Sequence, residues 1–288
     1  MFRNTTFVLQ SNIFNVILTY SLYMSQHKIF TLDNLSLQEI DSEAELIPLL
    51  TPEDEEEMIN EQLPDSLPIL PLRNTVLFPG VVIPITAGRD KSIKLINDAN
   101  AGDKIIGVVA QLNEEDEDPT QNDINKIGTV ASILRVLKMP DGNVTVILQG
   151  KKRFEIDEVT SESPYLRATI KEVEEKRPSK HDTEFKAILE SIKELAIQII
   201  KESPNIPTEA TFAIKNIESQ SFLINFVSSN MNLSVQEKQN LLTINALKER
   251  ALETLRFMNI ELQKLELKND IQSKVRFDLD QQQREYFL

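Results

Sequence analysis

A lysine after a glycine is the residue pair from which phosphate-binding loops are built, so Gly150-Lys151 is a first candidate for chemistry. The loop that wraps a nucleotide needs a second glycine five residues earlier and a hydroxyl residue after the lysine. Position 145 is Thr and position 152 is Lys, so neither requirement is met. No HExxH metal-hydrolase pattern and no GxSxG nucleophile elbow occurs. The two histidines, His27 and His181, are far apart and without metal-ligand spacing, and there is no cysteine to hold zinc, an iron–sulfur cluster or a disulfide. Paired carboxylates fall only in acidic runs, where repulsion keeps them solvated. Ser–Lys pairs are too common to single one out. The residues therefore point to a binding or assembly module, with no catalytic residue, no metal and no cofactor of its own.

The stretch that must position any such surface is Leu67 to Gly88, LPILPLRNTVLFPGVVIPITAG. Its four prolines bar a helix, since proline lacks an N–H and fixes φ. It reads as short strands with a turn at Pro79-Gly80. Strands also read at 104–111, at 126–138, at 143–149, at 151–156 after a bend or bulge at Gly150, and at 166–171. Pro140-Asp141-Gly142-Asn143 reads as a hairpin turn, and 89–101 as a short helix. All seven glycines lie between Gly80 and Gly150, which predicts a turn-rich first half and a helical second half.

Asp182 is placed to cap a helix whose stripe runs Phe185, Ile188, Leu189, Ile192, Leu195, Ala196 and Ile199. Ser203-Pro204 ends it, Pro207 suits a helix start, Phe222, Ile224, Phe226 and Val227 mark another helix, and Ser234-Val235-Gln236-Glu237 has capping-box spacing. From Asn245 onward neither Gly nor Pro interrupts the chain, enough for a helix of about 65 Å. Ala251, Leu255, Met258, Leu262 and Leu265 follow coiled-coil spacing, so the helix should project and pair.

The net charge of −14 belongs to one segment. Ile29 to Leu72 holds 12 acidic residues and no basic one, whereas 176–288 holds 16 of each. No basic stripe suited to a phosphate backbone is present, which argues against nucleic acid. Residues 1–23 are too polar for a membrane span. They read as an extension, with Met24 as an alternative start. Residues 24–66 read as a disordered acidic arm with one helical turn near 53–62.

The order Leu70-Pro71-Leu72-Arg73-Asn74, Leu77-Phe78-Pro79-Gly80, Val82-Ile83-Pro84-Ile85 and Gly88-Arg89-Asp90-Lys91-Ser92-Ile93 closely resembles the N-terminal substrate-recognition region of Lon, the ATP-dependent serine protease. Val108–Gln111, Ile127-Gly128-Thr129, Gln149-Gly150 and the final Gln283–Leu288 agree, so the resemblance covers 67–288. It implies an α+β chain with a PUA-like antiparallel β domain at 67–175, a small helical bundle at 176–244, and a projecting helix at 245–288. That helix would lead to an ATPase module, using ATP and magnesium, and a Ser–Lys peptidase module, neither of which is in this sequence.

The function implied is capture of unfolded or degron-bearing proteins and help in assembling a cytoplasmic hexamer, without membrane contact. The alternative is a stand-alone adaptor with the same β domain. The family's charged helix start falls on Arg89, Asp90, Lys91 and Lys94, which become candidate substrate contacts. Phe257 and Met258, expected to be exposed on the long helix, join them.

Overall fold

The computed structural model describes residues 50–286 except 141, 180, 204, 205 and 207–209. The expectations for the first 49 residues, for Pro204 and Pro207, and for the last two residues of the REYFL segment lie outside the described residues. Two compact units divide the chain: Leu49–Phe185 with Ile217–Ala251, and Lys186–Asn216 with Leu252–Leu288. The helices of 220–243, expected in a bundle of their own, thus belong to the unit that holds the sheet.

That unit is built on six strands: β1 (Ser66–Leu72), β2 (Val82–Ala87), β3 (Ile105–Ala110), β4 (Ile127–Lys138), β5 (Val144–Ser161) and β6 (Arg167–Glu172). They run in the order β2-β5-β4-β3-β1-β6, and β5 also pairs with β6, closing the sheet. The α+β class holds, but the sheet is mixed. β1 pairs parallel to β3, Ile69 opposite Gly107, because the connection between them holds β2, which runs opposite to both, and then helix α2 (Asp90–Ala101). Inside lie Leu67, Ile69, Val109, Val130, Phe154 and Ala168.

The expected Pro79-Gly80 turn is present. Gly80 has φ +79° and donates its N–H to Gly150 O at 2.9 Å. The bulge expected at Gly150 is present within one continuous strand: Thr129 pairs with Arg153 and Ala131 with Gly150, so β5 carries an extra residue between Gly150 and Arg153. Gly150 is required by proximity: a Cβ there would lie 2.3 Å from Phe78 O.

The acidic arm needs correction over its last stretch. Residues from Pro52 to Asn60 form helix α1, capped by Thr51 and Asp54 in a reciprocal capping box. Bonds to Thr51 hold the Asp54 carboxyl below its ordinary range. Leu50 and Met58 are buried. Glu55 pairs with Arg177 and accepts from Ser219 Oγ, while Glu61 meets Lys151 Nζ at 3.0 Å. These partners, remote in sequence, settle a segment whose local charge reads as solvated.

Helices α5 (Gln220–Asn230) and α6 (Val235–Thr243) complete this unit. Every residue from Ser221 to Ser228 is buried. The Ser234–Glu237 capping box forms as its spacing predicts.

The second unit takes most of α3 (Thr183–Glu202), α4 (Ala210–Asn216) and most of α7 (Leu247–Tyr286). Asp182 caps α3 by accepting from Phe185 N at 2.9 Å. Asn269 donates to both Glu202 O and Glu202 Oε2, tying α7 to the end of α3. On α7 the side chains of Ala251, Met258 and Leu262 are buried, whereas Leu267, Ile271, Val275 and Leu279 are more than half exposed.

Candidate functional site

Helix α2 begins at an unusual cap. Arg89 holds the N-cap position, where Ser, Thr, Asp or Asn is favoured, and makes no side-chain cap bond. Its guanidinium turns inward. Nη2 donates to Gln111 Oε1 and to Asp116 O, each at 2.8 Å. Gln111 is buried at the end of β3, and its Nε2 donates to Asn113 O and again to Asp116 O. Arg89 and Gln111 thus fasten the acidic loop of 113–118 beside α2. Burial pushes the Arg89 guanidinium below its ordinary value, as does the charge of Arg73. Asp118, Glu117 and Asp116 oppose that shift.

The four candidates at this helix start therefore do different things. Arg89 is a bracing residue, half-buried and engaged with its own chain. Lys91 Nζ bonds both carboxylate oxygens of Asp118, at 2.7 and 2.8 Å, with both partners largely exposed. Asp90 and Lys94 are exposed, and Asp90 in the first turn suits the helix dipole. Between α2 and the loop lies a cleft of about 40 Å³. Ile69, Pro71, Leu95 and Leu166 form its apolar lining, and Lys91, Asp118 and Tyr165 stand among its polar groups.

The two candidates on α7 separate as well. Met258 is buried, so its expected exposure is corrected: its position on the 251–258–262 stripe faces the interior. Phe257 is half-buried, and the Arg256 guanidinium lies 4.3 Å from its ring centroid. The structure does not bring Phe257 or Met258 into the cleft's lining.

Reading the sequence missed a second charged cluster, inside the first unit. Arg250 is fully buried and donates to Glu175 Oε2, Asn225 Oδ1 and Ile244 O. Arg153 on β5 donates to Leu242 O, Ile244 O and Asn245 Oδ1. Burial, with the nearby Arg250 charge, lowers the Arg153 guanidinium to about 10, and Glu175 opposes the shift. Ser221 Oγ donates to the same Glu175 carboxylate. The cluster ties the sheet to the ends of α5 and α6 and the start of α7. Its signal in the sequence was an arginine at a stripe position, between Leu247 and Ala251.

Among the described residues no group of three or more His, Cys, Asp or Glu is placed to hold a metal ion, and no helix is long and apolar enough to cross a membrane.

Residues 66–260 match the family model described as the ATP-dependent protease La (LON) substrate-binding domain. The chain belongs to the LON substrate-binding domain family. The Lon protease of Flavobacterium johnsoniae is 86% identical over 265 residues, covering 92% of this chain and 32% of that protein. The Lon protease of Cytophaga hutchinsonii is 50% identical over 244 residues, covering 85% of this chain and 30% of that protein. The chain therefore spans about a third of the length of the curated relatives it matches. The fold resembles the N-terminal domain of the Mycobacterium avium complex Lon protease, with a TM-score of 0.56 and 21% identity over 67% of this chain and 98% of that one. The LON substrate-binding domain match takes in both the cleft beside α2 and the buried arginines.

Proposed function

We propose that this chain is the substrate-recognition and assembly region of a cytoplasmic ATP-dependent serine protease, and that it captures unfolded or degron-bearing polypeptides. The match of residues 66–260 to the LON substrate-binding domain carries this reading. The chain's own residues do not fit a nucleotide with its magnesium: Gly150-Lys151 lacks the loop spacing and lies within β5. ATP hydrolysis and peptide-bond cleavage are accordingly assigned to the parent protein's other modules, with the recognition region feeding them. Nucleic acid and membranes have no part in this reading.

Self-association is assigned to α7. Leu267, Ile271, Val275 and Leu279 recur every fourth residue and are exposed, which is apolar surface that pairing would cover. A hexamer of the parent is the assembly proposed, with α7 as one contributor.

Titration of a fluorescently labelled, reduced and carboxymethylated protein with the 288-residue chain tests recognition. Saturable binding of the unfolded probe, with a folded control left unbound, is the expected result. Equal behaviour of the two probes would place recognition elsewhere.

A further inference from the structure

We propose that the cleft beside α2 takes one short aliphatic side chain of an extended substrate segment, and that the residues flanking it in that segment are basic. The inference rests on the recognition reading above and specifies the class of segment it favours. The lining supplies the aliphatic preference. Ile69, Pro71, Leu95 and Leu166 make its floor apolar, and a cleft of about 40 Å³ suits a small aliphatic group.

Charge at the rim supplies the flanking preference. In the lining itself Asp118 and Glu162 balance Arg89 and Lys91, but the loop that supplies Asp118 also carries Glu114, Glu115, Asp116 and Glu117, against Arg73 as the further cation near Arg89. Arg89 is spent on Gln111 and Asp116 O, and Lys91 on Asp118. Glu114, Glu115 and Glu117 are exposed and form no ion pair among the described residues. Asp90 already answers the partial positive charge of the helix start. The surplus is negative, so a segment entering the cleft is favoured by lysine or arginine on either side. Arg89 acts as a positioning residue, since it holds the acidic loop at the rim.

Fluorescence anisotropy with two peptides of about twelve residues tests this. Both carry a central valine, flanked by lysines in one and glutamates in the other. At low salt the lysine peptide is expected to bind the full chain about fivefold or more tightly. The preference should disappear in Glu114→Gln/Glu115→Gln/Glu117→Gln, should widen in Lys91→Glu, and should shrink as salt rises. Replacing the central valine by serine or tryptophan should weaken binding.

Equal affinity of the two peptides, or a preference that survives the triple variant, overturns the proposal. So does indifference to the central residue, or evidence from sedimentation that the triple variant changes self-association, which would make the cleft a contact between copies. If the unfolded protein binds and neither peptide does, this inference fails and the recognition reading stands. If the unfolded protein also fails to bind, both fall.

Discussion

Two clusters in this chain use the same side-chain chemistry to opposite ends. Around Arg250 and Arg153, the guanidinium groups are sealed among helices and sheet against a half-buried Glu175, with each donor matched to a carbonyl, an amide or a carboxylate. Around Lys91 and the acidic loop, the charges stand in water and only Arg89 is drawn inward. Removing charges from water costs several kcal/mol per ion unless partners are in place, whereas exposed pairs contribute little. The buried cluster therefore fixes one arrangement of the elements around it. The exposed one leaves its charges available to another molecule. The same arginine-and-acid composition makes a clamp in one place and a rim in the other.

The largest effect expected from this contrast is at Arg250. Arg250→Met takes a donor from buried Asn225 Oδ1 and from Ile244 O, while the part-exposed Glu175 carboxylate keeps Arg177 and Ser221, and should cost about 2–3 kcal/mol in urea unfolding. A loss under about 1 kcal/mol would mean the cluster is not a clamp.

A second test concerns Lys238, a half-buried cation whose amine donates to Ser229 O at 2.7 Å. Burial lowers it to about 8 from the usual 10.5. Between those values the unfolded chain holds a proton there that the folded chain does not, so stability should rise with pH across that window. Below about 8 both states are protonated and the full cost of the buried charge is present. Lys238→Met should therefore stabilise the chain at pH 7 by on the order of 2 kcal/mol, with the gain shrinking toward pH 10.5. Thermal melts of both proteins across that range check it, and a gap independent of pH would count against it.

At the rim the effects should be smaller. Arg89→Gln removes the brace from Asp116 O and Gln111 and should cost about 1–2 kcal/mol, with faster amide exchange across 113–118. Lys91→Gln, which loses only an exposed pair, should change stability by less than about 0.5 kcal/mol. If Lys91→Gln costs as much as Arg89→Gln, the distinction between brace and rim collapses.

The sequence made local features legible and hid those that depend on distant partners. The caps at Asp182 and at Ser234–Glu237, the Gly80 turn and the strands at 105–110 and 127–138 all follow from neighbouring residues. The parallel pairing of β1 with β3 does not, because nothing in SLPILPL specifies the direction of its neighbour. Nor does the docking of α1, since Arg177 and Ser219 lie far along the chain from Glu55. At the site, the charged helix start was visible but the direction of each side chain was not. Arg89 turns inward because buried Gln111 and Asp116 O await it. Met258 is buried because its stripe on α7, with Ala251 and Leu262, faces inward at that height, while Leu267, Ile271, Val275 and Leu279 further along are exposed.

The closure of the sheet has a consequence for the chain's synthesis. β1 finds its antiparallel partner in β6, with Ser66 opposite Thr169, about a hundred residues later. At roughly 5–20 residues per second, translation needs on the order of 5–20 s to supply that partner. During this interval the newborn β1, all but two of whose residues end up buried, presents an unsatisfied apolar edge at the ribosome. A holding chaperone engaged at the exit tunnel should therefore raise the soluble yield, and circular permutation that places β6 directly before β1 should remove the need for it.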